Sequence, residues 1–190
     1  MPKPFEPTVL ETARLTLRFM DERDIDALHA VYSDPVVARY LSRPAMAERA
    51  QAEKMMANVL AGYADGSGVN FGIVRRDDGA LIGNCMLFRF HDESRRAEIG
   101  YSLARAYWGQ GYMNEALVAL IGYAFGPLGL NRLEADIDPR NDNSAKSLLR
   151  LGFRQEGVLK ERWIVAGEKS DTAYYGLLAG EWVSLDGQHR

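Results

Sequence analysis

The sequence is poor in cysteine, and its one cysteine does not suggest thiol chemistry. Cys85 is the single cysteine among 190 residues, so no disulfide can form within the chain. Such usage favours a reducing compartment. Cys85 lies in the apolar segment 81–87, where cysteine usually serves as a small apolar filler. We therefore expect no catalytic role for this thiol.

Long apolar runs and a strong charge excess are also missing. The most apolar stretch, residues 116–130, is shorter than the ~20 residues that a membrane helix needs. Residues 1–7 contain no apolar core of the kind found in signal peptides. The formal net charge of -3 argues against nucleic acid as the main partner, although an acidic chain still attracts basic proteins. We expect a cytoplasmic protein without direct membrane or nucleic-acid contacts.

The length and composition suit one globular domain. The chain has 190 residues, of which 47% are hydrophobic and 26% are charged, which is ordinary for a globular protein. We expect a single domain over residues 1–190. Its ends, residues 1–9 and 184–190, are predicted to be flexible.

Hydrophobic periodicity predicts a chain that mixes strands and helices. The predicted strands are residues 15–19, 71–75, 81–90, 97–103, 132–137, 153–163 and 172–178. The predicted helices are residues 25–34, 52–63, 115–125 and a last one that ends near residue 151 and is capped by Asn143 or Ser144. One helix joins strands 97–103 and 132–137, so we expect them to be parallel neighbours.

A glycine turn between strand 97–103 and the following helix organises the chain. Gly109 and Gly111 let the backbone approach a ligand closely, and the helix start offers unpaired N–H groups and a partial positive charge. This arrangement is typical of a site for a phosphate-bearing cofactor. No Gly-Lys-Ser/Thr triplet follows, which excludes a nucleotide-triphosphate loop. A dinucleotide fingerprint needs a third glycine where Asn114 stands, and it remains a weaker alternative with Glu134 as the ribose ligand.

Three segments in order resemble the GNAT N-acetyltransferases, in particular the branch of the RimJ and RimL ribosomal-protein acetyltransferases. They are residues 10–18 with Asp24, the turn at 109–116, and residues 138–144 with the motif Asn-x-x-Ser followed by Leu-Gly-Phe at 151–153. The resemblance covers residues 10–183. It implies a mixed α+β fold with a mostly antiparallel sheet of about six or seven strands, a splayed central parallel pair and about four helices.

The resemblance also implies acetyl-CoA as cosubstrate and no metal. The pantetheine would add to a strand edge at Tyr101, Ser102 and Leu103, as a peptide augments a sheet. Asn141 would bond the cofactor from the other side of the gap, unless it forms only an Asx turn before a helix. The pyrophosphate would contact Trp108, Gly109, Gln110, Gly111, Tyr112, Met113 and Asn114.

Transfer from a thioester to an amine needs a base for the amine and a proton for the departing thiolate. Leu148 stands where many relatives carry the tyrosine that protonates the thiolate. Ser144 is the candidate replacement, unless it only caps a helix. Carboxylates on covered strands are unusual, and burial would raise their pKa. We expect Glu98 to act as the base, with Asp136 and Glu134 as alternatives on the neighbouring strand.

The expected class of acceptor follows from the fraction of each amine that is neutral at neutral pH. An α-amine with a pKa near ~7.8 is partly neutral at neutral pH, whereas a lysine near ~10.4 is almost wholly charged. A site with only carboxylates or water as bases therefore favours a protein or peptide N-terminus. The alternatives are a small-molecule amine (a polyamine, an amino acid or an antibiotic) and a noncatalytic acyl-CoA-binding regulator. We expect the acceptor groove between the helices of residues 32–63 and the hairpin at Gly167, in a monomer or a homodimer.

Overall fold

The structure, a computed structural model, describes residues 3–182, which form an eight-stranded sheet with helices on both faces. The strands are β1 Val9–Glu11, β2 Leu15–Phe19, β3 Gly68–Arg75, β4 Leu81–His91, β5 Arg96–Leu103, β6 Arg132–Ile137, β7 Arg154–Val165 and β8 Glu168–Leu178. The helices are α1 Ile25–Ser33, α2 Pro35–Ala38, α3 Arg49–Asp65, α4 Tyr112–Phe125 and α5 Asp142–Arg150.

The sheet has the order β1-β2-β3-β4-β5-β6-β8-β7, and β5 and β6 are its parallel pair. The mixed α+β fold and the parallel central neighbours are confirmed. The predicted count of six or seven strands is wrong, because the opening segment forms two strands. The chain turns between β1 and β2, where the Thr12 N–H donates to the Leu15 carbonyl at 2.9 Å. The short α2 was also missed, because Asp34 caps a new helix by accepting from the Val36 N–H.

The two faces of the sheet carry different helices. Leu117 and Leu120 of α4 pack with Ile99 of β5 in one buried cluster, to which α5 also contributes. Residues of α1 and α3 form a second cluster. On β4, Asn84 accepts a hydrogen bond from the Tyr32 hydroxyl of α1 at 2.9 Å. Consequently α4 and α5 cover one face, and α1 and α3 cover the other.

The parallel pair separates along its length. The register joins Arg96 to Arg132 and Glu98 to Glu134, and the pairing ends there. Beyond that point β5 continues against β4 as far as Leu103, while β6 continues against β8. The two strands therefore enclose a gap, and the splayed pair implied by the resemblance is confirmed.

Local signals set the helices beside this gap. α4 begins at Tyr112, earlier than the predicted residue 115, because Gly111 adopts the left-handed conformation at φ 81° directly before it. The cap of α5 is Asn141, whose Oδ1 accepts from the Ser144 N–H at 3.2 Å. The prediction that Asn143 or Ser144 caps this helix is wrong. Gly152, at φ 93°, follows the helix end as expected.

The N-terminal segment contacts the body of the protein. The Phe5 N–H donates to the Tyr63 carbonyl at 2.8 Å, and the Phe5 ring lies 5.4 Å from that of Phe90. The flexibility predicted for residues 1–9 stays a prediction. The predicted flexible end at 184–190 lies outside the described residues. Between residues 3 and 182 no helix has the length and apolarity to span a bilayer.

Candidate active site

A cavity of about 1290 Å³ passes through the gap between β5 and β6. Its lining includes the glycine turn and α5 on one face of the sheet, and α3, the α2–α3 loop (residues 39–48) and the β7–β8 hairpin on the other. Glu98 and Gln110 do not line it. The predicted site residues that do are Tyr101, Ser102, Leu103, Trp108, Gly109, Gly111, Tyr112, Met113, Asn114, Asp136, Asn141 and Ser144.

The glycine turn has the conformation that its spacing predicts. Gly109 and Gly111 both lie in the left-handed region, at φ 73° and 81°. This conformation is disfavoured for residues with a Cβ, so glycine is required for backbone reasons. The turn leads into the first turn of α4, whose N–H groups lack intrahelical partners, and the residues of that turn line the cavity. The arrangement can bind an anion.

An ion pair braces this turn from the β1–β2 connection. Arg14 Nε donates to Glu115 Oε2 at 2.7 Å, and Arg14 Nη1 donates to the Gln110 carbonyl at 3.0 Å. Thr12 Oγ1 donates to Glu115 Oε1 at 2.6 Å. Burial raises the pKa of Glu115, but the hydrogen bonds from Thr12 and Arg14 outweigh it and leave the pKa below its ordinary value. Sequence reasoning missed this brace, because Arg14 and Glu115 lie 101 positions apart.

The backbone N–H and C=O groups of successive β5 residues point alternately toward the gap and toward β4. The Ala104 N–H donates to the Ile82 carbonyl of β4 at 2.8 Å. At the other end of the strand the Arg95 carbonyl accepts from the Asn131 N–H, on the β6 side, at 2.7 Å. Since successive residues of a strand direct their N–H and C=O groups to opposite edges, the odd-numbered residues of β5 face β6 and the gap.

Three residues of β5 thus direct backbone groups into the gap, namely Ile99, Tyr101 and Leu103. The backbone of Ser102 faces β4, so it offers no backbone groups to a ligand in the gap, contrary to the prediction, although Ser102 is among the residues that line the cavity. The Trp108 indole N–H already donates to the Leu103 carbonyl at 2.7 Å. Sequence reasoning missed Ile99 as a gap-facing residue, which strand alternation could have identified.

The two carboxylates named as catalytic candidates have different surroundings. Glu98 is 7% exposed, and both of its oxygens accept from Arg89 Nη1, at 2.8 and 3.1 Å. Asp136 lines the cavity, and its Oδ2 is buried with no hydrogen-bond partner among residues 3–182. Burial raises the pKa of both carboxyls, and Arg89 opposes the shift in each case. Of these two, Asp136 is the carboxylate that lines the cavity, and it is the one with an oxygen that lacks a partner among the described residues.

The third carboxylate, Glu134, belongs to a structural network. Its Oε2 accepts from Arg96 at 2.7 Å and its Oε1 accepts from Arg132 at 2.9 Å. Both oxygens are therefore engaged by guanidinium groups. This arrangement does not suit the ribose-binding role that a dinucleotide site would require of Glu134.

Two hydroxyl groups meet at the start of α5. Tyr101 Oη and Ser144 Oγ lie 2.7 Å apart, and both residues line the cavity. Burial raises the pKa of Tyr101 to about 12, although the hydrogen bond with Ser144 lowers it. Leu148, at the position of the relatives' tyrosine, is fully buried in the core. Tyr101 of β5 thus places a phenol among the residues that line the cavity, and sequence reasoning missed its contact with Ser144.

Two asparagines border the cavity with unused polar atoms. Asn141 uses Oδ1 to cap α5, while its amide N–H groups make no hydrogen bond among the described residues. Helix capping and ligand binding are compatible for Asn141 because they use different atoms. Asn114 Oδ1, in the first turn of α4, is buried without a partner in residues 3–182.

Thiolate and metal chemistry have no support in the part of the chain that the structure describes. Cys85 is 0% exposed, and burial raises the pKa of its thiol far above the ordinary value. A thiol in that state is a poor nucleophile. Among residues 3–182 no group of three or more His, Cys, Asp and Glu side chains is arranged to hold a metal ion.

Known proteins share both the sequence and the fold. Residues 14–154 match the family described as acetyltransferase (GNAT) domain. The uncharacterized N-acetyltransferase p20 of Bacillus licheniformis is 37% identical over 173 residues, which cover 91% of this chain and 97% of that protein. The ribosomal protein uS5 alanine N-acetyltransferase of Escherichia coli strain K12 is 29% identical over 187 residues, covering 91% and 92%.

Two solved structures have the same fold. RimL, described as a ribosomal L7/L12 alpha-N-protein acetyltransferase in complex with coenzyme A, gives a TM-score of 0.82 at 22% identity, covering 90% of this chain and 98% of that one. Spermidine N-acetyltransferase from Vibrio cholerae, in complex with CoA and spermine, gives 0.79 at 20% identity with the same coverage. The dinucleotide alternative is therefore wrong. The chain belongs to the GNAT acetyltransferase family and is an N-acetyltransferase, similar to the ribosomal-protein acetyltransferases named above.

Proposed function

We propose that this enzyme transfers the acetyl group of acetyl-CoA to the α-amine of a protein or peptide N-terminus. One observation carries the proposal: a single cavity is lined by the glycine turn on one face of the sheet and by Asp136 of β6, whose Oδ2 has no hydrogen-bond partner among residues 3–182. The cofactor and the amine can then enter from opposite faces and meet between β5 and β6.

The cofactor end is built largely from backbone. The N–H groups from Gly109 to Asn114 suit a pyrophosphate, and the gap-facing groups of Ile99 and Tyr101 suit the amides of pantetheine. Lys146 and Arg150 line the cavity one turn apart on α5, on the same face of the sheet as the glycine turn, and add positive charge for the phosphates. RimL and the spermidine enzyme were solved with CoA, which supports the assignment of this cofactor.

Asp136 is the proposed base. Its carboxyl group belongs to a residue that lines the cavity and can accept a proton from the incoming ammonium, and its raised pKa makes it a stronger base than an ordinary aspartate. The neutral amine then attacks the thioester carbonyl, a C–N bond replaces the C–S bond, and the second proton that the nitrogen loses as the amide forms passes to solvent. Glu98 is less suited to this step because Arg89 occupies both of its oxygens.

Ser144 and Tyr101 are proposed to supply the proton for the departing sulfur. The Ser144 hydroxyl gives its proton to the thiolate and takes one from Tyr101, with which it is hydrogen bonded. Solvent then returns the proton to Tyr101. Because the site retains candidates for both acid and base, it supports catalysis over the noncatalytic alternative.

The preference for an α-amine rests on the cost of deprotonation. Freeing an α-amine at about pH 7 costs about 1 kcal/mol, whereas freeing a lysine costs about 4.6 kcal/mol. A single carboxylate base suits the first amine better than the second. The similarity to an acetyltransferase named for the alanine of ribosomal protein uS5 agrees with a protein acceptor.

The test is an acceptor comparison with acetyl-CoA in which thiol release and the acetylated product are both measured. The acceptors are a peptide with a free N-terminus, the same peptide with a blocked N-terminus and one lysine, and spermidine. We expect thiol release with the first peptide and acetylation of its α-amine. Faster turnover of lysine or spermidine would contradict the α-amine assignment. Thermal stabilisation by CoA without thiol release from any amine would support a noncatalytic regulator.

A further inference from the structure

The charged side chains that line the cavity divide into two groups, and the first group consists of side chains held in ion pairs. Arg140 binds Asp138 and Glu168, each at 2.6 Å. Asp171 binds Lys160 at 2.8 Å. Three carboxylates share two cations here, so the group keeps one excess negative charge, and each of its carboxylates is engaged by a cation.

The second group makes no ion pair within residues 3–182, and it has an excess of positive charge. It contains one carboxylate, Asp136, and four cations, Arg39, Arg43, Lys146 and Arg150. Lys146 and Arg150 lie on α5, on the cofactor side of the sheet. Arg39 and Arg43 lie in the α2–α3 loop, on the face of α1 and α3. The phosphates of a CoA molecule would account for the α5 pair and leave the loop pair unexplained.

Arg43 is the less exposed member of the loop pair. Its guanidinium lies 4.3 Å from the centre of the Tyr32 ring, and Nη2 contacts Met55 Sδ at 3.3 Å. It is half-buried, and a thioether is a weak acceptor for a group with five donors. Taking a cation partly out of water without a counter-charge is unfavourable, so a bound anion would complete this arrangement.

The platform beneath Arg43 is fixed before any ligand binds. Tyr32 is 2% exposed, and its hydroxyl donates to Asn84 Oδ1 at 2.9 Å. Asn84 Nδ2 donates in turn to Asn70 Oδ1 at 3.0 Å. Arg39 adds a second cation on the same loop, 5.3 Å from the Tyr40 ring. The planar guanidinium of Arg43 is thus preorganised to bind a carboxylate through two hydrogen bonds.

We propose that the acceptor carries a carboxylate in addition to the amine that is acetylated. The inference rests on the proposed function, in which the amine meets Asp136. The carboxylate would bind Arg43, assisted by Arg39. An acidic side chain in the first residues of a peptide fits this chemistry, and so does the carboxylate of a free amino acid. Polyamines do not fit, because they would place additional positive charge against the loop pair.

The test compares kcat/KM for matched peptides that differ at one early position. One peptide has glutamate there and the other glutamine, and both have amidated C-termini, so that the side chain supplies the only difference in charge. Free glutamate as an acceptor distinguishes the amino-acid source of the carboxylate. We expect the wild-type enzyme to favour the glutamate peptide or free glutamate by about 10-fold over the glutamine peptide, mainly through KM.

Arg43→Gln should remove most of this preference by raising KM for the acidic acceptor, and Arg43→Lys should restore part of it. Arg23→Gln makes the same change in net charge at an 86% exposed side chain outside the cavity, and it should keep the preference. Thermal stabilisation by CoA in the Arg43 variants checks their fold. Equal rates for the two peptides and free glutamate, or an undiminished preference in Arg43→Gln, would overturn this inference alone. Absence of turnover with every amine would instead overturn the proposed function.

Discussion

The two ends of the cavity differ in the kind of group that they offer to a ligand. At the proposed cofactor end the groups available to a ligand come from the backbone, namely a left-handed glycine turn, a helix start and a strand edge. At the acceptor end they come from side chains, with Arg43 stacked on Tyr32 and Asp136 beside the gap. A backbone site depends on conformation, whereas a side-chain site depends on charge and shape. The first end should therefore fail when its geometry changes, and the second when one charge is removed.

The largest expected effect is at the cofactor end. We expect Gly111→Asp to abolish CoA binding, because φ 81° disfavours any residue with a Cβ and a carboxylate there would repel phosphate. The measurement is loss of the rise in melting temperature that CoA causes. Gly129→Asp introduces the same charge at φ 61° outside the cavity and should keep that rise. Normal CoA stabilisation of Gly111→Asp would mean that the phosphates bind elsewhere.

A smaller effect is expected from the acceptor-side base. Asp136→Asn should lower kcat/KM for an N-terminal peptide by about 100-fold, the usual scale for a general base, while CoA still stabilises the protein. Glu98→Gln is the matched control, since Arg89 already engages both oxygens of Glu98. If Glu98→Gln were the slower enzyme, the role of base would pass to Glu98.

Loss of the proposed proton donor, Ser144, should lower the rate less than loss of the proposed base. Ser144→Ala is expected to lower kcat by about 10-fold with acetyl-CoA, because the departing thiolate loses its nearby acid. The loss should shrink with a thioester whose thiol is more acidic, since that thiolate needs less protonation. Ser147→Ala is a control on the same helix, because its hydroxyl bonds only to the Asn143 carbonyl among the described residues. The same loss for both thioesters would argue against acid catalysis by Ser144.

The smallest effect concerns stability and follows from the raised pKa of Asp136. The folded protein holds this proton more tightly than the unfolded chain, so stability falls as pH rises from the ordinary aspartate value through the raised one. Asp136→Asn, which stays neutral, should melt above the wild type at about pH 7 and lose that advantage below ~3.9. A lower melting temperature for the variant at neutral pH would mean that the Asp136 carboxylate has a stabilising partner.

The cofactor end and the central topology were predictable from local signals. The spacing of Gly109 and Gly111 between a strand and a helix specifies a backbone conformation, and such requirements are visible within a few residues. The parallel arrangement of β5 and β6 followed from the single helix that joins them. The short β1 was missed because its residues are mostly exposed and give no clear alternation.

Contacts between distant residues could not be predicted in the same way. The sequence favoured Glu98 as the base, and only the fold reveals that Arg89 occupies its oxygens while Asp136 Oδ2 has no partner in the described part of the chain. The contact of Tyr101 with Ser144 and the stacking of Arg43 on Tyr32 depend likewise on how separate elements pack. The residue type alone does not reveal whether a charged side chain forms an ion pair in the folded protein.

The separation of the two ends is tested most directly by two-substrate kinetics of one variant from each end. We expect Asn141→Ala to raise KM for acetyl-CoA about fivefold, corresponding to one hydrogen bond of about 1 kcal/mol, and to leave KM for the acidic peptide unchanged. Arg43→Gln should raise KM for the acidic peptide and leave KM for acetyl-CoA unchanged. If either variant raised both KM values by the same factor, the division into a cofactor end and an acceptor end would be contradicted.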